Sequence, residues 1–238
     1  MIHLIIIFKS KANHQIRSFY QNSMNKLKNY LTKDNLILGL ATYATYKLAV
    51  KPAFSLVGTL YRYVIRPRRN LKARYGEKTW AVVTGSTSGI GAGFAHQLAE
   101  EGFNLVLVSR SREKLEAQKS EFGQNYKDIS IEIRVVDLSS TWVEDFIQLG
   151  DSLAHLDVSI LVNNAGYGAL CPFEDFDYQE LENIINLNIG PYVYLTRSLV
   201  PGMLKREKRS GIVFNASIAA EFVTPCIAAY NGTKAFVD

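Results

Sequence analysis

Tyr230 and Lys234 stand four residues apart, in the run Tyr230-Asn231-Gly232-Thr233-Lys234. On a helix this spacing puts both side chains on one face. A free phenol titrates at about pH 10. An ammonium beside it favours the phenolate and lowers that value, which makes the tyrosine a usable general acid or base near neutrality. Alone, the pair is a weak signal, because chance produces it often. Two further groups strengthen it: Ser217, thirteen residues before Tyr230, and the run Asn163-Asn164-Ala165-Gly166.

A glycine-rich run lies upstream: Thr84-Gly85-Ser86-Thr87-Ser88-Gly89-Ile90-Gly91. Glycines there permit a tight turn and let a backbone approach a pyrophosphate closely. A helix opening just after them offers free N–H groups and a positive dipole end to that anion. A glycine-rich turn without a ligand is the alternative. About 20 residues past the glycines, dinucleotide folds place a side chain that reads the ribose 2′ position. An acid there would accept from the 2′-hydroxyl of NAD. The segment Val108-Ser109-Arg110 has no acid, and a guanidinium at that place pairs with the 2′-phosphate of NADP. The expected cofactor is therefore NADP(H), the alternative being that Arg110 only caps a surface loop. Asp137 is placed to accept from the adenine amino group.

The elements that must position these groups alternate. Short β-branched or apolar runs at 79–85, 104–110, 129–138, 158–166 and 211–217 read as strands. Helical spacing covers 92–102, with Gly102 as its stop, and 111–122, with Ser111 as its cap. A long helix is expected over 178–206, and a last one from about Ala228. Strands alternating with helices of this length build βαβ units and a parallel sheet. The expected class is α/β, a Rossmann-like doubly wound sheet that binds ligands at the carboxyl ends of its strands.

Taken together, Thr-Gly-x-x-x-Gly-Ile-Gly at 84–91, Asn-Asn-Ala-Gly at 163–166 and Ser217 with Tyr230-x-x-x-Lys234 resemble the short-chain dehydrogenase/reductase superfamily over about residues 78–238. The resemblance implies a catalytic set. Tyr230 would protonate a carbonyl oxygen as a nicotinamide hydride attacks carbon. Lys234 would bind the nicotinamide ribose and depress the tyrosine pKa. Ser217 would orient the carbonyl. The family's catalytic Asn precedes a Thr by eight and a Pro by thirteen residues. Thr196 and Pro201 fit that count from Asn188 rather than Asn186. Gly85 to Gly91, with Arg110, Asp137, Asn164, Ala165 and Gly166, would hold the cofactor with Tyr230 and Lys234. WAVVTGSTSGIG, LVLVSRSREKL, LTRSLVPGM and YNGTKAFVD look like the membrane-bound 3-ketoacyl-CoA reductases of very-long-chain fatty acid elongation and the related 17-beta-hydroxysteroid dehydrogenases. That narrower likeness implies a lipid-like ketone substrate, 3-ketoacyl-CoA or steroid, and the cytosolic face of the endoplasmic reticulum membrane. It also allows a homodimer through the helix at 178–206 and the Tyr-bearing helix. The family pattern continues past the position of Asp238 with two more strands. The chain is accordingly expected to be C-terminally truncated, its sheet incomplete, with an inactive membrane-tethered nucleotide-binding fragment as the alternative to an enzyme.

The 238 residues allow one large domain, or one domain plus an appendage. Their charge is divided. Residues 1–75 hold 14 Lys/Arg and the single acid Asp34, giving +13; residues 76–238 hold 13 Lys/Arg and 21 acids, giving −8, and the sum is the overall +5. The expected division is thus a basic segment, 1–75, and a reductase domain, 76–238. Two apolar runs, 36–50 and 53–65, flank Lys51 and Pro52. Neither reaches the roughly 18 uncharged residues of a spanning helix. With a kink or break expected at Pro52, they read as a hairpin or amphipathic pair lying on a membrane, and 66–74 as a basic stretch against anionic head groups. Ordinary helices packed on the domain are the alternative. Nucleic-acid binding is not expected, because the aromatic residues sit in the apolar runs rather than among the cations. Cys171 and Cys226 read as reduced packing residues, and the four histidines have no metal-ligand spacing.

Overall fold

A computed structural model describes residues 13–30, 32–66, 70–139, 142–222 and 224–238. The apolar start 1–8 and residues 67–69 of the basic stretch lie outside the described residues. The chain divides into two units that part between Arg66 and Asn70.

The first unit is helical. Helix α1 spans Asn13–Tyr30, α2 spans Lys33–Thr45 and α3 spans Lys51–Leu60. Thr32 caps α2, its hydroxyl accepting from the Asn35 N–H at 3.3 Å. Two π-helical segments, Tyr46–Val50 and Tyr61–Ile65, follow α2 and α3 directly. Helical turns therefore run without interruption from Lys33 to Ile65, and the break expected at Pro52 is absent. Val50 (φ −69°, ψ −52°) and Lys51 (φ −60°, ψ −47°) both keep helical backbone. The physical reason lies one turn earlier. A proline ring crowds the carbonyl four residues before it, and the wide turn in which Lys51 N–H reaches the Tyr46 carbonyl relieves that crowding. No side chain of α2 or α3 is buried; Leu48 is 80%, Phe54 76% and Tyr63 83% exposed. Among the described residues no helix is long and apolar enough to cross a membrane.

The second unit is a five-stranded parallel sheet in the order β3-β2-β1-β4-β5. Its strands are β1 (Trp80–Thr84), β2 (Asn104–Ser109), β3 (Ile131–Val135), β4 (Val158–Asn163) and β5 (Gly211–Phe214). Helices α5 (Gly89–Glu100) and α6 (Arg112–Asn125) connect β1 to β2 and β2 to β3. Helix α7 (Val143–Asp151) leads to β4. Helix α8 (Tyr178–Gly190) passes through a π-helical segment, Pro191–Leu195, into α9 (Thr196–Leu204), and α10 (Ala228–Val237) follows β5.

Period-2 alternation sorts the central strands into two cores. Val82, Val106, Val108 and Leu161 face Phe146, Leu149, Leu195, Leu199 and Met203 of α7 to α9. Ala81, Val83, Leu105, Leu107, Ile160 and Val162 face Ala95, Leu98, Leu115 and Phe122 of α5 and α6. Both faces of β1, β2 and β4 are covered, which is why these strands read as unbroken apolar runs. Ser111 caps α6 as expected, accepting from Lys114 N–H at 3.3 Å. At the end of α5, Gly102 adopts φ +77° and Phe103 N–H reaches back to the Leu98 carbonyl.

Helix α4 (Leu71–Tyr75), expected in the basic segment, packs on the sheet unit instead. Leu71 and Tyr75 lie against the α5–α6 core, and the Tyr75 carbonyl accepts from Arg206 Nη2 at 2.6 Å. Arg206 also binds Asp157 through Nε at 2.6 Å. The carbonyl thus sits beside an ion pair whose guanidinium is nearly buried and whose carboxylate is open to solvent.

Candidate functional site

The strand order reverses at β1, so a crevice opens between the carboxyl ends of β1 and β4. Thr84, the fully buried last residue of β1, fixes its width. Its Oγ1 accepts from Asn164 N–H at 2.9 Å and Ala165 N–H at 3.0 Å, and donates to the Val162 carbonyl at 3.3 Å. Asn164 answers by donating from Nδ2 to the Thr84 carbonyl at 3.1 Å, while its Oδ1 accepts from Asn215 Nδ2 at 2.9 Å. The ends of β1, β4 and β5 are thus tied by three side chains.

The glycine run turns between β1 and α5. Gly85 has φ +64°, and a Cβ there would come within 3.0 Å of Ala165 Cα. A Cβ on Gly91 would overlap the Gly85 carbonyl oxygen and the Asn164 amide. Gly89 has φ +54° and borders a cleft of about 660 Å³. A Cβ there would meet no protein atom, so the space beside its backbone is open.

Thr87, Ser88, Gly89, Ile90, Arg110 and Asp137 line this cleft on one side, with Asn164, Ala165, Gly166 and Asn215 on the other. Ser86 does not: it turns inward and donates to Gln118 Oε1 at 3.3 Å, while its carbonyl accepts from Gln118 Nε2 at 2.8 Å. Thr87 Oγ1 and Ser109 Oγ lie 3.0 Å apart. Asp137 follows β3, where Ser139 donates to its Oδ1 from both N–H (3.0 Å) and Oγ (2.7 Å). The Ser139 hydroxyl bond holds the Asp137 carboxyl below its ordinary value, with help from the Arg110 charge.

Helix α10 carries Tyr230 and Lys234. Lys234 is buried, and its Nζ donates to the Asn215 carbonyl at 2.7 Å. Burial pushes its pKa below the ordinary lysine value. The ammonium also lies 5.8 Å from the Tyr230 ring centre. Gly166 and Asn215 border the cleft and also touch the surroundings of Lys234; a Cβ on Gly166 would lie 3.4 Å from Nζ. Gly168 packs so closely on Tyr230 that a Cβ would come within 2.8 Å of its ring.

Asn188, fully buried on α8, clasps the next loop. Its Oδ1 accepts from Tyr167 N–H and its Nδ2 donates to the Tyr167 carbonyl, both at 2.9 Å; Nδ2 also donates to Thr233 Oγ1 at 2.9 Å. Thr196 receives Asn163 Nδ2 at 2.8 Å, joining β4 to α9. Ser217 lies three residues past β5 and caps a short 3-10 turn, Ile218–Ala220; its Oγ accepts from Ala219 N–H at 3.2 Å, which leaves its hydroxyl hydrogen to donate.

Three neighbours lie outside the motifs: Tyr167, Tyr192 and Asn215. Tyr167 borders the cleft, and its phenol is pushed up to about 12 by burial and by Glu180. Their positions directly beside Gly166, Pro191 and Ala216 are the only signal the sequence offers. Cys171 and Cys226 are free thiols, and Cys171 N–H donates to the Cys226 carbonyl at 2.8 Å across the loops that flank the site.

The chain resembles known proteins over most of its length. It is 38% identical to a very-long-chain 3-oxoacyl-CoA reductase of Podospora anserina over 192 residues, which cover 79% of this chain and 56% of that one. It is 41% identical to a very-long-chain 3-oxoacyl-CoA reductase-like protein of Arabidopsis thaliana over 182 residues, 74% of this chain and 56% of that one. It spans little more than half the length of these curated relatives. L-sorbose reductase from Gluconobacter frateurii, solved with NADPH and L-sorbose, matches with a TM-score of 0.62 at 31% identity, over 68% of this chain and 60% of that one. The bulky-bulky ketone specific alcohol dehydrogenase from Comamonas testosteroni matches with a TM-score of 0.62 at 28% identity, over 67% and 63%. The short chain dehydrogenase family model matches residues 79–238, and with the parallel sheet, the glycine turn and the Tyr230–Lys234 helix in place, the chain belongs to that family.

Proposed function

We propose that the protein is an NADPH-dependent ketone reductase whose substrate is the 3-keto group of a long-chain acyl-CoA. The reading rests on one observation above the others. Lys234, buried one helical turn past Tyr230, is held on the Asn215 carbonyl at the wall of the cleft that Arg110 borders.

The cleft fits a phosphorylated dinucleotide. Its floor is backbone left bare by glycine, the N-terminus of α5 opens onto it, and Arg110 is the cation at the end of β2. When bound, NADPH supplies the hydride that adds to the ketone carbon. Tyr230 gives its phenol proton to the ketone oxygen, so that carbon gains a hydride and oxygen a proton. Lys234 stabilises the resulting phenolate and binds the nicotinamide ribose. Ser217 donates to the ketone oxygen and orients it. Asn188 holds the Tyr167 backbone against Thr233, which fixes α10 relative to the cleft. Arg110 pairs with the 2′-phosphate.

The names of the curated relatives support the acyl-CoA class. The exposed apolar side chains of residues 36–65 support work at a membrane surface, for which we assign the cytosolic face of the endoplasmic reticulum. The test is NADPH oxidation by the purified protein with long-chain 3-ketoacyl-CoA, steroid ketones and short ketones side by side. Turnover with the long-chain thioester, lost in Tyr230→Phe by about 100-fold or more, is expected. Reduction of steroid ketones alone would overturn the substrate class, and unchanged turnover in Tyr230→Phe would overturn the chemistry.

A further inference from the structure

Lys234 is an ammonium in a place that penalises ammonium ions. It is buried, burial lowers its pKa, and no salt bridge to it exists among the described residues. A buried cation needs compensation, or it gives up its proton. One hydrogen bond to a neutral carbonyl is a modest return. The structure supplies a second contact that the family motifs do not contain.

Tyr192 lies on the π-helical segment that joins α8 to α9 and is 5% exposed. The Lys234 ammonium lies over the face of its ring, 5.5 Å from the centre. Its hydroxyl donates to the Asn215 carbonyl at 3.1 Å, the same oxygen that accepts from Lys234 Nζ at 2.7 Å. The placement follows from the helix. Asn188 and Tyr192 are four residues apart and share a face. The first meets Thr233 and the second meets Lys234, consecutive residues of α10. Phe214 packs against the Tyr192 ring at a tilt of 42°, with centres 5.5 Å apart. Burial and the neighbouring Tyr230 push the Tyr192 phenol up to about 12. It therefore remains a neutral donor throughout the range in which the enzyme would work.

We propose that Tyr192 is a positioning residue for Lys234: its ring face holds the ammonium charged and in place, while its hydroxyl fixes the carbonyl that both groups share. A cation over an aromatic face is worth about 0.5–2 kcal/mol, more as the pair is desolvated, and 1.36 kcal/mol corresponds to one pH unit. Removing the ring should therefore lower the pH at which Lys234 loses its proton by about one unit.

The consequence for catalysis rests on the ketone-reductase reading, but the ionic one does not. The experiment accordingly has two arms. In the first, the full chain with 13C-labelled lysine side chains is titrated by NMR as wild type, Tyr192→Phe and Tyr192→Leu, with Lys234→Met assigning the resonance. Tyr192→Met serves as the second apolar variant should leucine prevent folding. The expected result is a drop of about one pH unit for leucine or methionine and less than about 0.3 for phenylalanine, which keeps the ring face. An unchanged midpoint in the apolar variants, or equal shifts in Phe and Leu, overturns the proposal. The second arm follows kcat/KM for ketone reduction against pH. The alkaline limb should move down by the same amount in Tyr192→Leu and stay in place in Tyr192→Phe. A general loss of activity with an unmoved limb would mark Tyr192 as merely structural and overturn the proposal. A wild type inactive on every ketone, with the NMR shift as expected, refutes the reductase reading and leaves the assignment of Tyr192 standing.

Discussion

At Lys234 the demands of stability and function pull apart. The folded state holds its ammonium against a desolvation cost, so the folded pKa lies below the unfolded one. Such a lysine contributes stability that is fully present above the unfolded value of about 10.4 and is lost as pH falls through the folded value. Replacing it by methionine removes the charge and keeps the stem, and the Asn215 carbonyl retains its bond from Tyr192. We expect Lys234→Met to reduce ketone turnover by about 100-fold or more while unfolding stability at neutral pH falls by less than about 1 kcal/mol or rises. The wild-type minus variant difference, taken from urea unfolding at several pH values, should show the alkaline gain belonging to Lys234. Tyr167 and Tyr192, with raised pKa values, act in the opposite sense above about pH 10 in both proteins and cancel. A large loss of stability at neutral pH in the variant would refute this account. Arg110 gives the companion prediction for affinity. Arg110→Ala should weaken NADPH binding about tenfold or more and change NADH by less than about twofold, read by fluorescence titration; equal losses would remove its 2′-phosphate role.

Among the elements, the glycine turn and the strand ends do most to define the site. Gly91 and Gly93 lie two residues apart on α5 yet differ in what surrounds them. A Cβ on Gly91 overlaps the Gly85 carbonyl and the Asn164 amide, whereas one on Gly93 meets nothing within 4 Å. Gly91→Ala should cost about 1–3 kcal/mol and displace the turn, with NADPH affinity falling alongside. Gly93→Ala should gain about 0.5–1 kcal/mol from helix propensity. Thermal unfolding with and without NADPH checks both, and a neutral Gly91→Ala would show that the turn tolerates displacement. The same contrast shows what was readable from sequence. The glycine turn, the central strands and the Ser111 cap were legible because a single local rule fixes each. Helix α7 was missed because nine residues ending in Gly-Asp give too little periodicity to stand out. Tyr192 and Asn215 carry no motif, and their roles exist only because the fold brings α10 to them. At Pro52 the helix is not broken, for a related reason: the rule that proline breaks a helix is local, and the wide turn that accommodates it is not announced by any residue type.

On the scale of the whole chain, the opposed charges of the two segments set different tasks. The −8 of residues 76–238 repels an anionic cofactor at long range, so in the proposed reading binding would rely on groups at the cleft: the α5 N-terminus, Arg110 and Lys234. At physiological salt, charges beyond about 8 Å are largely screened, which is why local cations suffice. The +13 of residues 1–75 would suit a larger target, the anionic membrane surface proposed for it. Lys and Arg near an anionic membrane contribute about 1 kcal/mol each, and buried apolar area adds about 25 cal/mol per Å². Helices α2 and α3 have Leu36, Ile37, Leu40, Phe54, Leu56 and Val57 exposed together with the basic residues. The two contributions respond differently to salt. Residues 1–75 fused to a soluble reporter should float with phosphatidylserine-containing vesicles. Raising the ionic strength to about 1 M, where the Debye length shrinks to about 3 Å, should weaken that binding without abolishing it, because the apolar contribution is not screened. Replacing Leu36, Ile37, Phe54 and Val57 by serine should leave low-salt adhesion and remove the salt-resistant fraction. Complete release of the unmodified fusion by salt would mean that the segment only adheres through charge. A reporter that stays with the supernatant at low salt would end the case for a membrane-facing arm.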